Sequence, residues 1–157
     1  MMPEKINGKS SKMKSTFNMG YAVGINIQAK PSRIWSLLTN AGDFPRWNSM
    51  VKNIEGKIAL GEKIKVQVPY APGRTFNLKV SKFVPDKEMV WNDGMAPMFT
   101  GVRTYTLTPK PDGSTNFAMV EVFSGIMLPM IAGSLPDFGP SFETYVADLK
   151  REAERGM

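Results

Sequence analysis

The sequence predicts an α+β fold: a curved antiparallel sheet of about seven strands wrapped round a long C-terminal helix, with two short helices after the first strand. Three patterns carry this expectation. Between residues 50 and 124, apolar and polar residues alternate with a period of two, and Gly- and Pro-containing turns break the runs. From Phe138 onward the apolar spacing becomes helical. Between the first strand and the alternating region lies a short amphipathic segment that begins with a proline.

The first twenty residues, MMPEKINGKSSKMKSTFNMG, are polar and basic and contain no apolar run of the kind that makes a secretory leader. They read as a disordered tail (1–20), leaving 21–157 as a single domain. YAVGINIQ (21–28) reads as the first strand. In AKPSRIWSLLTNAGDF, Pro31 suits a first helical turn, and Ile34, Trp35 and Leu38 form an apolar stripe. DFPRWN reads as a second short helix or tight loop.

The alternating region then gives about six strands. Ile64, Val66 and Val68 alternate with Lys63, Lys65 and Gln67, and Phe76, Leu78 and Val80 with Asn77, Lys79 and Ser81. Turn signals fall at Glu55-Gly56, Leu60-Gly61, Ala71-Pro72-Gly73, Pro85-Asp86, Asp93-Gly94 and Asp112-Gly113. The last helix carries Phe138, Phe142, Tyr145, Val146, Leu149 and Ala153 on one side, and Glu143, Lys150, Glu152 and Glu154 on the other. Its apolar stripe must lie on the inner face of the sheet. A curved sheet need not fill the space beneath it, so an apolar cavity is expected there.

Composition narrows the chemistry. The chain has no cysteine and no histidine. Thiolate chemistry, disulfides, His-ligated zinc and Ser-His-Asp catalysis are excluded for this chain alone. A cytoplasmic location fits, and no cofactor is implied. Of the net charge of +6, the tail accounts for +3, from Lys5, Lys9, Lys12 and Lys14 against Glu4. The remaining lysines are scattered over several strands, which argues for a solvated sheet surface and against a nucleic-acid partner. No segment approaches the length of a membrane span. Glycine-rich phosphate loops, nucleophile elbows and carboxylate clusters at metal spacing are absent.

Several stretches resemble the START/SRPBCC helix-grip superfamily, and in particular its polyketide cyclase/dehydrase-like branch. They are INIQAKPSRIWSLLTNAGDFPRWN (25–48), IEGKIALGEKIKV (54–66), VPDKEMVW (84–91), FTGVRTYTLTP (99–109) and EVFSG (121–125). The order and spacing of these motifs, over residues 21 to 155, carry the resemblance. It implies a domain that encloses a hydrophobic small molecule, as carrier, sensor or cyclase. In this branch the position of Arg103 is often a histidine. Here it is arginine, so no acid–base role of a histidine carries over.

Arg103 is anomalous because it shares a strand face with Phe99, Gly101, Tyr105 and Leu107. In the next strand Glu121 is equally anomalous among Phe117, Met119 and Phe123. A three-residue hairpin loop, Pro111-Asp112-Gly113, flanked by Lys110 and Ser114, sets the register. It places Arg103 opposite Glu121 and Tyr105 opposite Met119. The two charges then form a self-satisfied ion pair, or they sit on a cavity wall and orient a ligand oxygen. The expected ligand-binding set is Trp91, Phe99, Arg103, Tyr105, Phe117, Met119, Glu121, Phe123, Met127, Met130, Phe142 and Tyr145. The catalytic candidates, should there be catalysis, are Arg103, Glu121 and Tyr105. The apolar loop GIMLPMIAGSLP (125–136) reads as a lid carrying Met127, Met130 and Ile131, as a segment buried under the helix start, or as a contact patch.

Three functions remain open at this point. The first is binding of a hydrophobic, lipid- or polyketide-like molecule. The second is a cyclase/dehydratase-type enzyme without a histidine. The third is a protein-interaction module of the chaperone-activator type. A filled interior would favour the third, and an Arg103 facing an open cavity the first two.

Overall fold

The computed structural model describes residues 7–69 and 71–155. One antiparallel sheet of eight strands carries the fold, in the order β1-β2-β8-β7-β6-β5-β4-β3. The strands are β1 (Asn7–Lys14), β2 (Asn18–Ile27), β3 (Asn53–Glu55), β4 (Lys63–Gln67), β5 (Phe76–Val84), β6 (Glu88–Met95), β7 (Phe99–Pro109) and β8 (Thr115–Ser124). The helices are α1 (Pro31–Leu38), α2 (Phe44–Trp47), α3 (Leu128–Ile131) and α4 (Gly139–Glu154). The helix-grip arrangement expected from the motifs is therefore present, and β3 to β8 form the six-stranded meander. Among the described residues no helix is long and apolar enough to cross a membrane.

The amino-terminal reading needs correction. Residues 7–14 form β1, and Asn18 to Gly20 open β2, so the tail expected over 1–20 is ordered structure from residue 7 onward. Residues 1–6 lie outside the described residues. The sheet accordingly has eight strands where about seven were expected. The segment hid because it is an edge strand, and edges protected by lysine show no apolar alternation. It is pinned by α4: Ser10 N–H and Ser10 Oγ both donate to Glu143 Oε2, at 2.9 and 3.0 Å.

The β7–β8 hairpin has the predicted register, with Arg103 facing Glu121 and Tyr105 facing Met119. Its loop closes through Lys110 N–H donating to the Ser114 carbonyl at 2.8 Å, and Gly113 adopts φ +89°. Only a residue tolerant of the left-handed region suits that place. The β6–β7 turn falls later than expected. Asp93 and Gly94 lie within β6, and the chain reverses at Ala96, Pro97 and Met98.

α1 buries Ile34, Trp35, Leu37 and Leu38. α4 buries Phe142, Tyr145, Val146, Leu149 and Ala153, and it packs on β1, β2, α1 and α2. Its packing is thus concentrated at the β1–β2 side of the sheet. β5 carries a register shift between Val80 and Lys82, the kind of irregularity that bends a strand. The β4–β6 half of the sheet curves over the helix instead of packing flat on it. Polar pins hold the far end of α4. Glu152 accepts from Arg46 at 2.9 Å and Arg155 at 3.1 Å, and Asp148 accepts from Ser49 N–H and Oγ at 2.8 and 2.7 Å.

Candidate functional site

Between the curved sheet and α4 lies a cavity of about 670 Å³. Its position follows from the packing just described, since α4 fills the β1–β2 side and leaves the β4–β7 side under-filled. Val66, Val68, Phe76 and Leu78 form the wall on β4, β5 and the loop between them. Trp91, Tyr105, Phe99 and Phe123 form the wall on β6, β7 and β8, and Phe142 and Tyr145 close it from α4. Phe99 and Phe123 stack with ring centroids 5.9 Å apart, and Phe123 meets Phe138 at 5.5 Å.

Arg103 stands in this wall between two cross-strand neighbours, Trp91 on β6 and Glu121 on β8. Its Nε donates to Glu121 Oε1 at 2.7 Å, and its guanidinium lies 5.1 Å from the centre of the Phe142 ring. An ion pair and a cation–π contact therefore hold one side chain. Gly101, two residues before Arg103, leaves room for the carboxylate: a Cβ there would sit 3.2 Å from Glu121 Oε2. The arginine on the apolar face thus meets the partner that the register assigned to it.

Beside the ion pair sit two tyrosines. Tyr105 and Tyr145 are almost wholly buried, with ring centroids 6.4 Å apart. Burial pushes the Tyr145 hydroxyl well above the usual tyrosine range; Tyr105 adds to that shift and Arg103 opposes it. Tyr105 is also raised by burial, again against the pull of Arg103. Tyr105 interacts with Arg103 and Tyr145 through contacts short of good hydrogen-bond geometry, and Trp91 Nε1 is buried without a hydrogen-bond partner. Such orphans are uncommon and costly.

The expected site residues divide into two groups. Trp91, Phe99, Arg103, Tyr105, Glu121, Phe123, Phe142 and Tyr145 border the cavity. Phe117 and Met119, also on the inner face of β8, do not border it; both are fully buried and serve the core. Met127 and Met130 do not border it either. Leu128 anchors α3 in the core, so Met130, two residues on, points outward and is 78% exposed. The same loop reaches the cavity through Leu135 and Pro136 instead. The expected methionine lid is therefore replaced at the rim by a Leu-Pro step.

Sequence reasoning missed two charged residues at the cavity, Arg74 and Asp93. Asp93 falls in an expected turn, Asp93-Gly94, and Arg74 directly follows another, Ala71-Pro72-Gly73. Burial raises the Asp93 carboxyl above its ordinary value, against a hydrogen bond from the Gly94 backbone and the attraction of Arg74. Arg74 lies over the Phe76 ring at 5.1 Å. Period-two alternation in β6 places Asp93 on the same face as Trp91 and was the available signal.

An antiparallel helix-grip sheet with an apolar cavity and one polar wall defines a START-like protein of the SRPBCC superfamily. Over residues 21–155 the chain matches the family model described as polyketide cyclase / dehydrase and lipid transport, and it belongs to that family. A search of curated proteins returned no match. Among solved structures it is similar to a START superfamily protein from Mycobacterium smegmatis, at 16% identity and TM-score 0.64, covering 88% of this chain and 99% of that one. It is also similar to a truncated norcoclaurine synthase from Thalictrum flavum, at 12% identity and TM-score 0.68, covering 92% and 99%. A conserved protein of unknown function from Enterococcus faecalis matches at 14% identity and TM-score 0.66, covering 94% and 78%. At these identities the likeness establishes the fold.

Proposed function

We propose that this protein binds a hydrophobic small molecule, lipid- or polyketide-like, in the cavity between the sheet and α4. The polar part of that molecule sits against the Arg103–Glu121 wall. The observation that carries this reading is the cavity itself: about 670 Å³, walled largely by aliphatic and aromatic side chains, with Asp93, Arg103, Tyr105 and Glu121 among its polar groups on β6, β7 and β8. That volume lies within the range of about 300–1,000 Å³ common for small-molecule sites. A well-packed interior would have supported the protein-interaction reading instead.

The binding reading is preferred to the cyclase/dehydratase reading for a chemical reason. Proton transfer is most efficient from a group whose pKa lies near the working pH. The two buried tyrosines are both displaced upward, away from neutrality. Arg103 holds its proton throughout the physiological range.

The test is displacement of an apolar fluorescent dye by long-chain apolar compounds. Leu78→Arg, which places a charged chain in the cavity wall, serves as the comparison. Saturable dye binding that Leu78→Arg abolishes, with the fold intact by circular dichroism, supports the reading. Absence of binding by dye and competitors alike sinks it.

A further inference from the structure

The charges around the cavity cancel. Among the described residues, the charged side chains that line it are Arg74, Asp93, Arg103 and Glu121, two of each sign. The inner pair is in contact, Nε to Oε1 at 2.7 Å. A guest carboxylate brought to this wall would meet an arginine whose charge is already matched and would lie near the Glu121 carboxylate. It would be a third charge in a site holding a balanced pair. Burying a charge without its own counter-charge is strongly unfavourable.

The neutral groups on the same wall point to a different guest. Trp91 Nε1 is buried without a partner, and Tyr105 Oη and Tyr145 Oη are buried with no well-formed hydrogen bond, held only by weaker contacts with each other and with Arg103. All three parent side chains are more than nine-tenths buried. The indole N–H can only donate, and a protonated tyrosine hydroxyl donates one hydrogen. The upward displacement of both tyrosines keeps them protonated at neutral pH. The wall therefore offers donors that lack a well-placed acceptor. An acceptor oxygen carried in on a neutral guest would satisfy them and add no charge.

Resting on the binding reading above, we infer that the ligand is uncharged and presents a hydrogen-bond-accepting oxygen, of the ketone, aldehyde or ester class, to the Trp91–Tyr105–Tyr145 wall. The Arg103–Glu121 pair then serves to exclude carboxylates. It is a filter on ligand charge and not an anion anchor.

The experiment compares a long-chain methyl ketone, the carboxylate of matching length and the matching alkane, each by displacement of the apolar dye at neutral pH. The ketone should bind about tenfold more tightly than the alkane, the worth of one or two buried hydrogen bonds. The carboxylate should bind more weakly than the ketone. In Glu121→Gln the Arg103 charge loses its match, and the order should reverse, with carboxylate affinity rising at least about tenfold. In Tyr105→Phe and Tyr145→Phe, which keep the ion pair, the advantage of the ketone over the alkane should shrink while the carboxylate changes little.

A carboxylate that binds wild type more tightly than the ketone overturns the inference and leaves the binding reading standing. So does a ketone no better than the alkane, the result expected where water satisfies the orphaned donors. If none of the three compounds binds, the binding reading itself fails and this inference falls with it. The two tyrosine variants decide the matter should Glu121→Gln fail to fold.

Discussion

Arg103 Nε lies 2.7 Å from Glu121 Oε1 across the β7–β8 ladder, and the same guanidinium covers the Phe142 ring of α4 at 5.1 Å. One side chain thus joins two strands to the helix that crosses them. The pair is only partly shielded, with side-chain exposures of 22% for Arg103 and 11% for Glu121. That intermediate burial gives the pair its character. It is dry enough for an unpaired partner to be costly, and it lies at the wall of a cavity where a guest would complete the shielding.

The ion pair should be worth less than the cost of breaking it. Glu121→Gln leaves the Arg103 charge without its match and is expected to destabilise the fold by about 1–3 kcal/mol, less than a fully buried pair would lose. Arg103→Met should cost a similar amount, because Glu121 is then the stranded charge. The double variant Arg103→Met/Glu121→Leu should recover much of the loss, since apolar replacement of a buried pair is often neutral. Urea unfolding of the four proteins closes the cycle. Additive losses in the double variant would show that the two charges are not energetically coupled.

The tyrosines set an alkaline limit on stability. Tyr105 and Tyr145 have folded-state pKa values raised above the ordinary tyrosine value, by burial in each case. For a group whose neutral form is favoured in the fold, the stabilisation is fully present below the unfolded pKa. It is lost as the pH climbs through the folded one. Unfolding midpoints should therefore hold to about pH 10 and then fall. Tyrosinate absorbance should show Tyr105 and Tyr145 ionising late. In Tyr145→Phe one late step should vanish and the Tyr105 step should move. A titration in which all tyrosines ionise together at the ordinary value, with the fold intact, would contradict the buried hydroxyls.

Much of this architecture could be read from the sequence because its signals are local and repeated. The meander, the Pro-started α1 and the stripe of α4 are written in spacings of two, three and four residues. The Arg103–Glu121 contact was legible because one three-residue hairpin loop fixes every cross-strand pair above it. β1 was not legible, since an edge strand such as NGKSSKMK carries no alternation and owes its place to Glu143, far along the chain. Arg74 and Asp93 were hidden for a related reason. Their role depends on where a curved sheet stops touching the helix, and that is a property of tertiary packing. Met127 and Met130 misled because an apolar loop need not place every apolar residue inward; Leu128 takes the buried position and turns Met130 out.

The pinning of β1 yields its own expectation. Glu143 accepts from Ser10 N–H and Ser10 Oγ, and the Ser10 backbone hydrogen bond holds its carboxyl below the ordinary glutamate value. A depressed carboxylate contributes stability that is present above its unfolded pKa and is lost as the pH falls through the folded one. Glu143→Leu should leave the Ser10 donors without this acceptor and loosen β1 selectively. Amide hydrogen exchange over residues 7–14 should quicken severalfold while the β7–β8 ladder stays protected. The difference between variant and wild type should fade in acid, where Glu143 is protonated in both the folded and unfolded wild type. Unchanged exchange in β1 would mean that the strand is held by its ladder to β2 alone.

Gly94 supplies a test of how the cavity edge is built. It adopts φ +90°, and a Cβ added there would lie 2.2 Å from the Phe99 carbonyl oxygen and 3.0 Å from Thr100 Cα. Both obstacles are backbone, so no side-chain rotation relieves them. Gly113 has nearly the same φ, +89°, but nothing lies within 4 Å of its added Cβ. The pair therefore separates strain from crowding. Gly113→Ala should cost about 1 kcal/mol, the conformational strain alone. Gly94→Ala should cost clearly more, about 2–4 kcal/mol, because β6 and β7 must also part. Parting them would shift Asp93 and Phe99, both of which border the cavity. Dye affinity should then fall in Gly94→Ala and hold in Gly113→Ala, measured where both variants remain folded. Equal losses of stability in the two variants would mean that the β6–β7 backbone yields to the added carbon, and that close approach at Gly94 does not shape the cavity.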